Sequence, residues 1–477
     1  MNASKQFVIP TNSTFFVSLV TFLCISVNAA PMKVENTYRS FCQTCHGATL
    51  QGGMGSSLVD SALVKQKDVS SLFRIIKEGV RGKGMPAWGP SLDDGQIHAL
   101  IAYISEKAQE LEEVKGGDHS LSEVRSAAGH SFSLHQIAEV SGELWAMTFL
   151  PDGRLLANIK SSGLKVLDGE RASAVEGLPK AETSGQAGYF DVQLDPDYNK
   201  NGLIYISYAE PSREGSMTRV DRGTLSKKGK HYQWKHDKAI FALDHSQHIN
   251  THHHYGARVS FKEGFMYVTV GDRGRRPRAQ DLDVANGKVH RVKLDATIPS
   301  DNPFTKQAKA VKSIWSYGHR NPQGMSVHPQ TGELWVAEHG PRGGDEINRV
   351  QKGLNYGWPV ITFGMNYNGT PITDKTEQSG MEQPAHYWVP SIAVSAIEFY
   401  TGDKFARWKH QLLVGSLGRE ELRLLNIQGD KVVSDELVLK GLGRIREVGN
   451  TPDGFPFVSL LEKGGNRTKV YRLQPAK

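Results

Sequence analysis

Two clusters of residues in this chain could do chemistry. The first is Cys42-Gln43-Thr44-Cys45-His46, a Cys-x-x-Cys-His run. This is the attachment signature of a c-type haem, with two cysteine sulfurs fixing the porphyrin edge and His46 reaching the iron from one side. A thioredoxin-type redox pair would need a βαβ context, and a zinc half-site would need further cysteines. The mature chain has none, since the third cysteine, Cys24, lies in the N-terminal leader. Met85, in Gly84-Met85-Pro86-Ala87-Trp88, is the expected second axial ligand, because its Gly/Pro-rich loop is stiff; Met54, between glycines, is the competitor. The second cluster is His254 with Asp272. A histidine beside a carboxylate makes a general base with an orienting partner.

The elements that must position these groups follow from the patterning. Val259–Phe261 and Phe265–Val270, split by Lys262-Glu263-Gly264, predict a β-hairpin. Pairing Phe261 with Phe265 sets His254 opposite Asp272 beyond the open strand ends. Around Cys42, a closing helix is predicted from the spacing of Ile97, Leu100, Ile101 and Ile104, with Asp94 as its cap. Residues 30–109 thus form a small all-α domain, and the polar, Gly/Ser-rich stretch 110–130 a linker. From 131 to 477 a turn followed by an apolar strand recurs six times, starting at Pro151, Pro196, Lys262, Pro329, Tyr400 and Pro452. With 49 glycines and 21 prolines, this predicts an all-β six-bladed β-propeller.

The totals agree. A chain of 477 residues has room for two or three domains. Its net charge of +7 is scattered, with no basic run to serve nucleic acid. Lys5, the apolar stretch 15–27 and Val27-Asn28-Ala29 predict a secretory signal over residues 1–29. That stretch falls short of the ~20 residues that span a bilayer. The expected location is therefore periplasmic or secreted, with no stable membrane span.

Equivalent hairpin ends supply Gln186, His254, Arg320, Asn321, Gly340, Pro341, Arg444 and Arg446. In a propeller these converge on one channel mouth. Arginines there imply a ligand with several carboxylates or phosphates, and loop carbonyls suit Ca²⁺. His245, His248, His252 and His253 are expected to be a polar loop over the channel rather than a second metal site. Trp145, Trp335 and Trp358 are expected to be blade core.

The runs Gly185-Gln186-Ala187-Gly188, His254-Tyr255-Gly256-Ala257-Arg258, Gly271-Asp272-Arg273-Gly274, Gly318-His319-Arg320-Asn321-Pro322-Gln323-Gly324, Glu338-His339-Gly340-Pro341, Asn355-Tyr356-Gly357-Trp358-Pro359 and Arg444-Ile445-Arg446 resemble, in order, the soluble glucose/sorbosone dehydrogenase family. Residues 30–109 resemble a class I cytochrome c. The first resemblance implies a six-bladed propeller using pyrroloquinoline quinone (PQQ) and Ca²⁺ to oxidise an aldose sugar. It implies that His254 takes the sugar hydroxyl proton, Asp272 orients it, Gln186 touches substrate and cofactor, and Arg320 and Asn321 contact the quinone oxygens. Arg444 and Arg446 would pair with cofactor carboxylates, and the Gly340 and Pro341 carbonyls would hold Ca²⁺. Asp345, Glu346 and Tyr356 match positions that in some relatives hold a second Ca²⁺. Electrons would pass to the tethered haem c and then to an external acceptor, a cytochrome or the quinone pool. Ala257, His339, Gly418 and Glu447 depart from the family pattern, which bears on cofactor affinity and substrate choice. The alternatives are a Ca²⁺-dependent propeller hydrolase or lactonase, and a non-enzymatic electron-transfer or binding protein.

Overall fold

The computed structural model describes residues 32–59, 68–115, 121, 123–169, 171–229 and 231–476. The expected signal at 1–29 lies outside the described residues. Helices Val34–Phe41, Gln43–His46, Val69–Glu78 and Asp94–Lys115 build the N-terminal part. Their apolar faces meet in a core that includes Val34, Tyr38, Ile97, Leu100, Ile101 and Ile104.

The closing helix differs from the expectation at both ends. Its cap is Asp93, whose carboxylate accepts from the Gln96 amide at 2.7 Å while Gln96 Oε1 accepts from the Asp93 amide at 3.0 Å. Asp94 instead pairs with Lys77 at 2.8 Å. The helix continues to Lys115, supported on its polar side by the Lys107–Glu110 pair. Strand Arg125–Ala127 already pairs with the strand His130–Ser141. The polar stretch 110–130 therefore carries regular structure at both its ends.

The remainder is almost entirely β. One five-stranded sheet, one eight-stranded sheet and three four-stranded sheets follow one another, with neighbouring strands antiparallel almost throughout. Among the strands of the described residues the one parallel pairing is short, Tyr232–Gln233 beside Val175–Glu176, and it joins the two halves of the eight-stranded sheet. The first strands of successive units, Leu144–Phe149, Tyr189–Leu194, Val259–Lys262, Pro322–Val327, Val394–Phe399 and Arg444–Asn450, contact one another in a closed circuit. His130–Ser141 pairs with the last strand, Arg467–Pro475, so one sheet holds both ends of the β region. Between units, buried aromatic and aliphatic side chains such as Trp335, Phe399 and Leu412 fill the gaps.

The hairpin carrying His254 has a different register from the expected one. Lys262 pairs with Phe265 and Phe261 with Met266. Glu263 (φ 51°) and Gly264 (φ 78°) both adopt left-handed backbone, so two residues form the turn, the geometry that matches strand twist. A one-residue shift would normally turn the ends to opposite faces. It does not separate His254 from Asp272, because the strand is left early: Ala257 (φ 75°), Gly256 (φ 65°) and His254 (φ 52°) are all left-handed and re-aim the chain.

Candidate active site

His254 Nδ1 lies 2.6 Å from Asp272 Oδ1, so the predicted base and orienter meet. Asp272 is fully buried and held from three sides. Its Oδ1 also accepts the Gly274 amide at 2.7 Å, and its Oδ2 accepts Trp358 Nε1 at 2.8 Å. Burial acts to raise the Asp272 pKa, but the His254 hydrogen bond and the charges of His254 and Arg320 outweigh it, and the group sits below its ordinary value. Burial lowers the His254 pKa, and Arg320 adds to that against the opposing pull of Asp272. The ring is thus neutral near pH 7, with Nδ1–H donating to the Asp272 carboxylate and Nε2 left to accept a proton.

Gln186 fixes the backbone beneath, its Oε1 accepting from the His254 amide at 2.7 Å. Asn321 Oδ1 accepts from the Gly256 amide at 3.2 Å. The accepting side chains, Gln186 and Asn321, come from the two neighbouring units, so the turn that displays His254 is held across two unit boundaries. The Arg320 amide donates to Glu338 and its Nη1 donates to the His339 and Gly340 carbonyls at 2.8 and 2.7 Å.

His254, Gln186, Arg320, Asn321, Arg444 and Arg446 line one cavity of about 490 Å³. Arg446 is partly committed, with Nη2 on Glu143 at 2.6 Å and Nη1 on Gln323 at 2.7 Å. Several lining residues escaped sequence reasoning, and three of them contact groups of the site. Lys160 donates to the Gly185 carbonyl at 2.7 Å, Glu143 faces it at 3.7 Å, and Tyr367 stands 72% exposed with its hydroxyl 3.5 Å from Arg320. Trp358 was read only as core, yet it is the second support of Asp272, with the Arg276 and Arg320 guanidiniums 5.5 and 5.4 Å from its ring. Trp145 is buried and also lines the cavity, with Arg258 stacked 4.4 Å from it, whereas Trp335 is core alone. A Trp following Asn-Tyr-Gly carries no signal of its role until the chain is folded.

The cavity suits a polyanion: three arginines and two lysines line it against three glutamates, and the buried Nε2 of His339 lacks a hydrogen-bond partner. Burial first, then Arg320 and Arg446, hold His339 well below the ordinary histidine range, so it is neutral and can serve either as donor or acceptor. The Gly340 carbonyl already accepts from Arg320, but an oxygen with two lone pairs keeps one for a cation. Asp345 steadies that turn by accepting the Gly340 amide at 2.8 Å. Glu346 and Tyr356 are elsewhere: Glu346 is bonded to Asn348, and the Tyr356 hydroxyl bridges the Arg349 carbonyl and the Gln351 amide.

In the helical part, His46 Nδ1 faces the Ser56 carbonyl at 2.8 Å, which fixes the ring and leaves Nε2 for a metal. Met85 packs on the helical core while Met54 is 80% exposed, so the former is the thioether available from within. The helices and the β region are in contact. Arg342 Nε lies 2.9 Å from Glu106 and its Nη1 3.1 Å from Glu35, and Met365 is buried in the helical core. The Val34 amide donates to the Gly369 carbonyl at 2.8 Å. Asn366 accepts from Arg276 at 2.7 Å, so the 365–369 loop runs from the helical core to the cavity wall at Tyr367.

Residues 142–471 match the family model described as Glucose / Sorbosone dehydrogenase. The chain belongs to the glucose/sorbosone dehydrogenase family. Residues 29–104 match the model described as Cytochrome C oxidase, cbb3-type, subunit III, so a cytochrome c domain precedes the dehydrogenase domain. Aldose sugar dehydrogenase YliI of Escherichia coli K12 is 40% identical over 334 residues, 68% of this chain and 89% of that protein. Quinoprotein glucose dehydrogenase B of Acinetobacter calcoaceticus is 27% identical over 371 residues, 60% of this chain and 75% of that protein. The crystal structure of the soluble aldose sugar dehydrogenase from Escherichia coli in the apo-form superposes with a TM-score of 0.65 at 34% identity, over 72% of this chain and 100% of the other.

Proposed function

We propose that the protein oxidises an aldose sugar at C1 to the lactone, with PQQ in the 490 Å³ cavity as acceptor and the tethered haem c as relay to an external acceptor. The observation that carries this reading is the neutral His254, held at 2.6 Å by a buried carboxylate, opening onto a cavity of arginines in a chain of this family. Bound PQQ supplies a two-electron hydride acceptor, and haem c a one-electron relay. His254 Nε2 takes the proton of the C1 hydroxyl as the C1 hydrogen leaves with its electron pair, and Asp272 stabilises the resulting imidazolium through Nδ1. Arg320 and Asn321 would face the quinone oxygens, Arg444 and Arg446 its carboxylates, and Gln186 both substrate and cofactor. The carbonyls of Gly340 and Pro341 would hold Ca²⁺, and Cys42, Cys45, His46 and Met85 the haem. Glu346 and Tyr356 would serve a second Ca²⁺ after rearranging the hydrogen bonds described above.

The β region is proposed to be a six-bladed propeller. The closed circuit of six first strands supports that count, as does the weak two-residue joint between the halves of the eight-stranded sheet. Residues 1–29 are proposed as a signal peptide, 30–109 as the cytochrome domain, 110–130 as the connection and 131–477 as the propeller. An extracytoplasmic site fits covalent haem attachment, and no helix among the described residues is long and apolar enough to cross a membrane.

Reconstitution of haem-bearing protein with PQQ and Ca²⁺, followed at the reduced-haem bands on adding aldoses, tests the reading. Sugar-dependent haem reduction is expected. Lactone or ester hydrolysis without PQQ, and no reduction with any sugar, would sink it.

A further inference from the structure

A second cluster of ligating side chains lies outside the cavity. Glu210, at the end of strand Ile204–Pro211, meets His245 and His248 from the segment leading to His254. Their ligand atoms all lie within 4.8 Å of one another, and they form the one such group of three among the described residues. His248 Nε2 is 3.7 Å from Glu210 Oε2, His245 Nε2 is 4.0 Å from Glu210 Oε1, and the two rings are 4.8 Å apart.

The independent observation is His248 itself. Its side chain is 0% exposed, yet neither ring nitrogen makes a hydrogen bond. The Gly215 carbonyl favours the protonated ring without bonding geometry. A buried imidazole with both nitrogens unpaired is costly to fold around unless something binds it. Glu210 is already aimed: Arg219 Nη1 bonds its Oε1 at 2.6 Å while Arg219 Nε is held by Asp221 at 2.7 Å, leaving Oε2 toward His248. Outer partners of this kind orient metal-binding carboxylates.

We infer that Glu210, His245 and His248 bind a divalent transition ion of the Zn²⁺ class, completed by water. Two imidazoles and one carboxylate suit such an ion and not Ca²⁺, which takes oxygen ligands. Tetrahedral bonds of ~2.0–2.1 Å put neighbouring ligand atoms about 3.3 Å apart. The ligand atoms, within 4.8 Å of one another, must therefore close by up to about 1.5 Å, a movement that His245, 60% exposed, can supply. The ion would tie the segment that displays His254 to the neighbouring unit, beside the existing Ser216–Ile249 bridge.

Equilibrium dialysis of untagged, haem-loaded protein against Zn²⁺, with Ca²⁺ in excess, reads the site. One equivalent is expected, with affinity lowered at least tenfold in E210Q, H245A and H248N, unchanged in H231A (an exposed histidine opening strand His231–Phe241), and a Zn²⁺-dependent rise in melting temperature confined to wild type and H231A. H245A alters an exposed side chain, so it stays informative if H248N fails to fold. No stoichiometric binding by wild type, or binding unaffected by E210Q and H245A, would overturn the inference by leaving a plain ion pair in its place.

Discussion

Asp272→Asn separates orientation from mere packing. Asp272 accepts three hydrogen bonds, two at Oδ1 from His254 Nδ1–H and the Gly274 amide and one at Oδ2 from Trp358 Nε1–H. An asparagine of the same shape has one oxygen and one NH₂, so a donor must face a donor in either orientation. If NH₂ points toward His254, the ring flips tautomer and Nε2 carries the proton it should accept. If it points toward Trp358, His254 keeps its tautomer but loses the buried negative charge that stabilises its imidazolium. A lost charge-assisted hydrogen bond is worth about 1.5–3 kcal/mol, so either orientation predicts a fall in kcat of roughly 10–10². Steady-state oxidation with a soluble dye acceptor and reconstituted cofactor measures it, with KM changing little and the haem spectrum unaltered. A kcat within threefold of wild type would refute the role given to Asp272.

Three further expectations follow from the same geometry. Trp358→Phe keeps the ring but removes one donor to Asp272, so kcat should drop about 10-fold, an effect of the size of one such bond, in the dye-linked assay. Arg342→Glu sets three carboxylates together at the Glu35/Glu106 contact, so sugar-driven haem reduction should slow while dye-linked turnover stays near wild type; stopped-flow absorbance separates the two. Acid should destabilise the fold early. His254, His290 (down to about 3) and His339 are buried and held below the ordinary value, chiefly by burial. The unfolded chain therefore binds more protons once pH falls below about 6.5, and stability drops by on the order of 1 kcal/mol per pH unit per histidine until each folded value is reached. Denaturant midpoints at pH 7.5 and 5.0 check the direction, and a higher midpoint at pH 5.0 contradicts it.

What the sequence discloses about this molecule depends on distance along the chain. The Cys42–His46 run, the closing helix and the hairpin are local patterns, and all three are present. His254 and Asp272, 18 residues apart on one hairpin, could be paired before any tertiary contact was known. The register that suggested the pairing was off by one, since a two-residue turn and left-handed residues at His254, Gly256 and Ala257 cannot be distinguished by apolar alternation. Lys160, Glu143 and Tyr367 join the site from other units, and nothing in their neighbours marks them; Trp358 sits in one of the family-like runs, but its bond to Asp272 is visible only in the fold. The seat of the helical domain on the 365–369 loop was equally hidden, because Met365 reads as one more loop methionine until it is buried against residues some 260 positions away, such as Ala102 and Tyr103. Of the histidines at 245 and 248, expected to be a polar loop, His245 is 60% exposed whereas His248 is sealed from solvent.

The account stands on His254 as the base. The most direct measurement is the rate of sugar oxidation by His254→Ala after reconstitution with PQQ and Ca²⁺, alongside its haem spectrum. Loss of sugar oxidation with an unchanged haem spectrum is the predicted result. Turnover at the wild-type rate would contradict it.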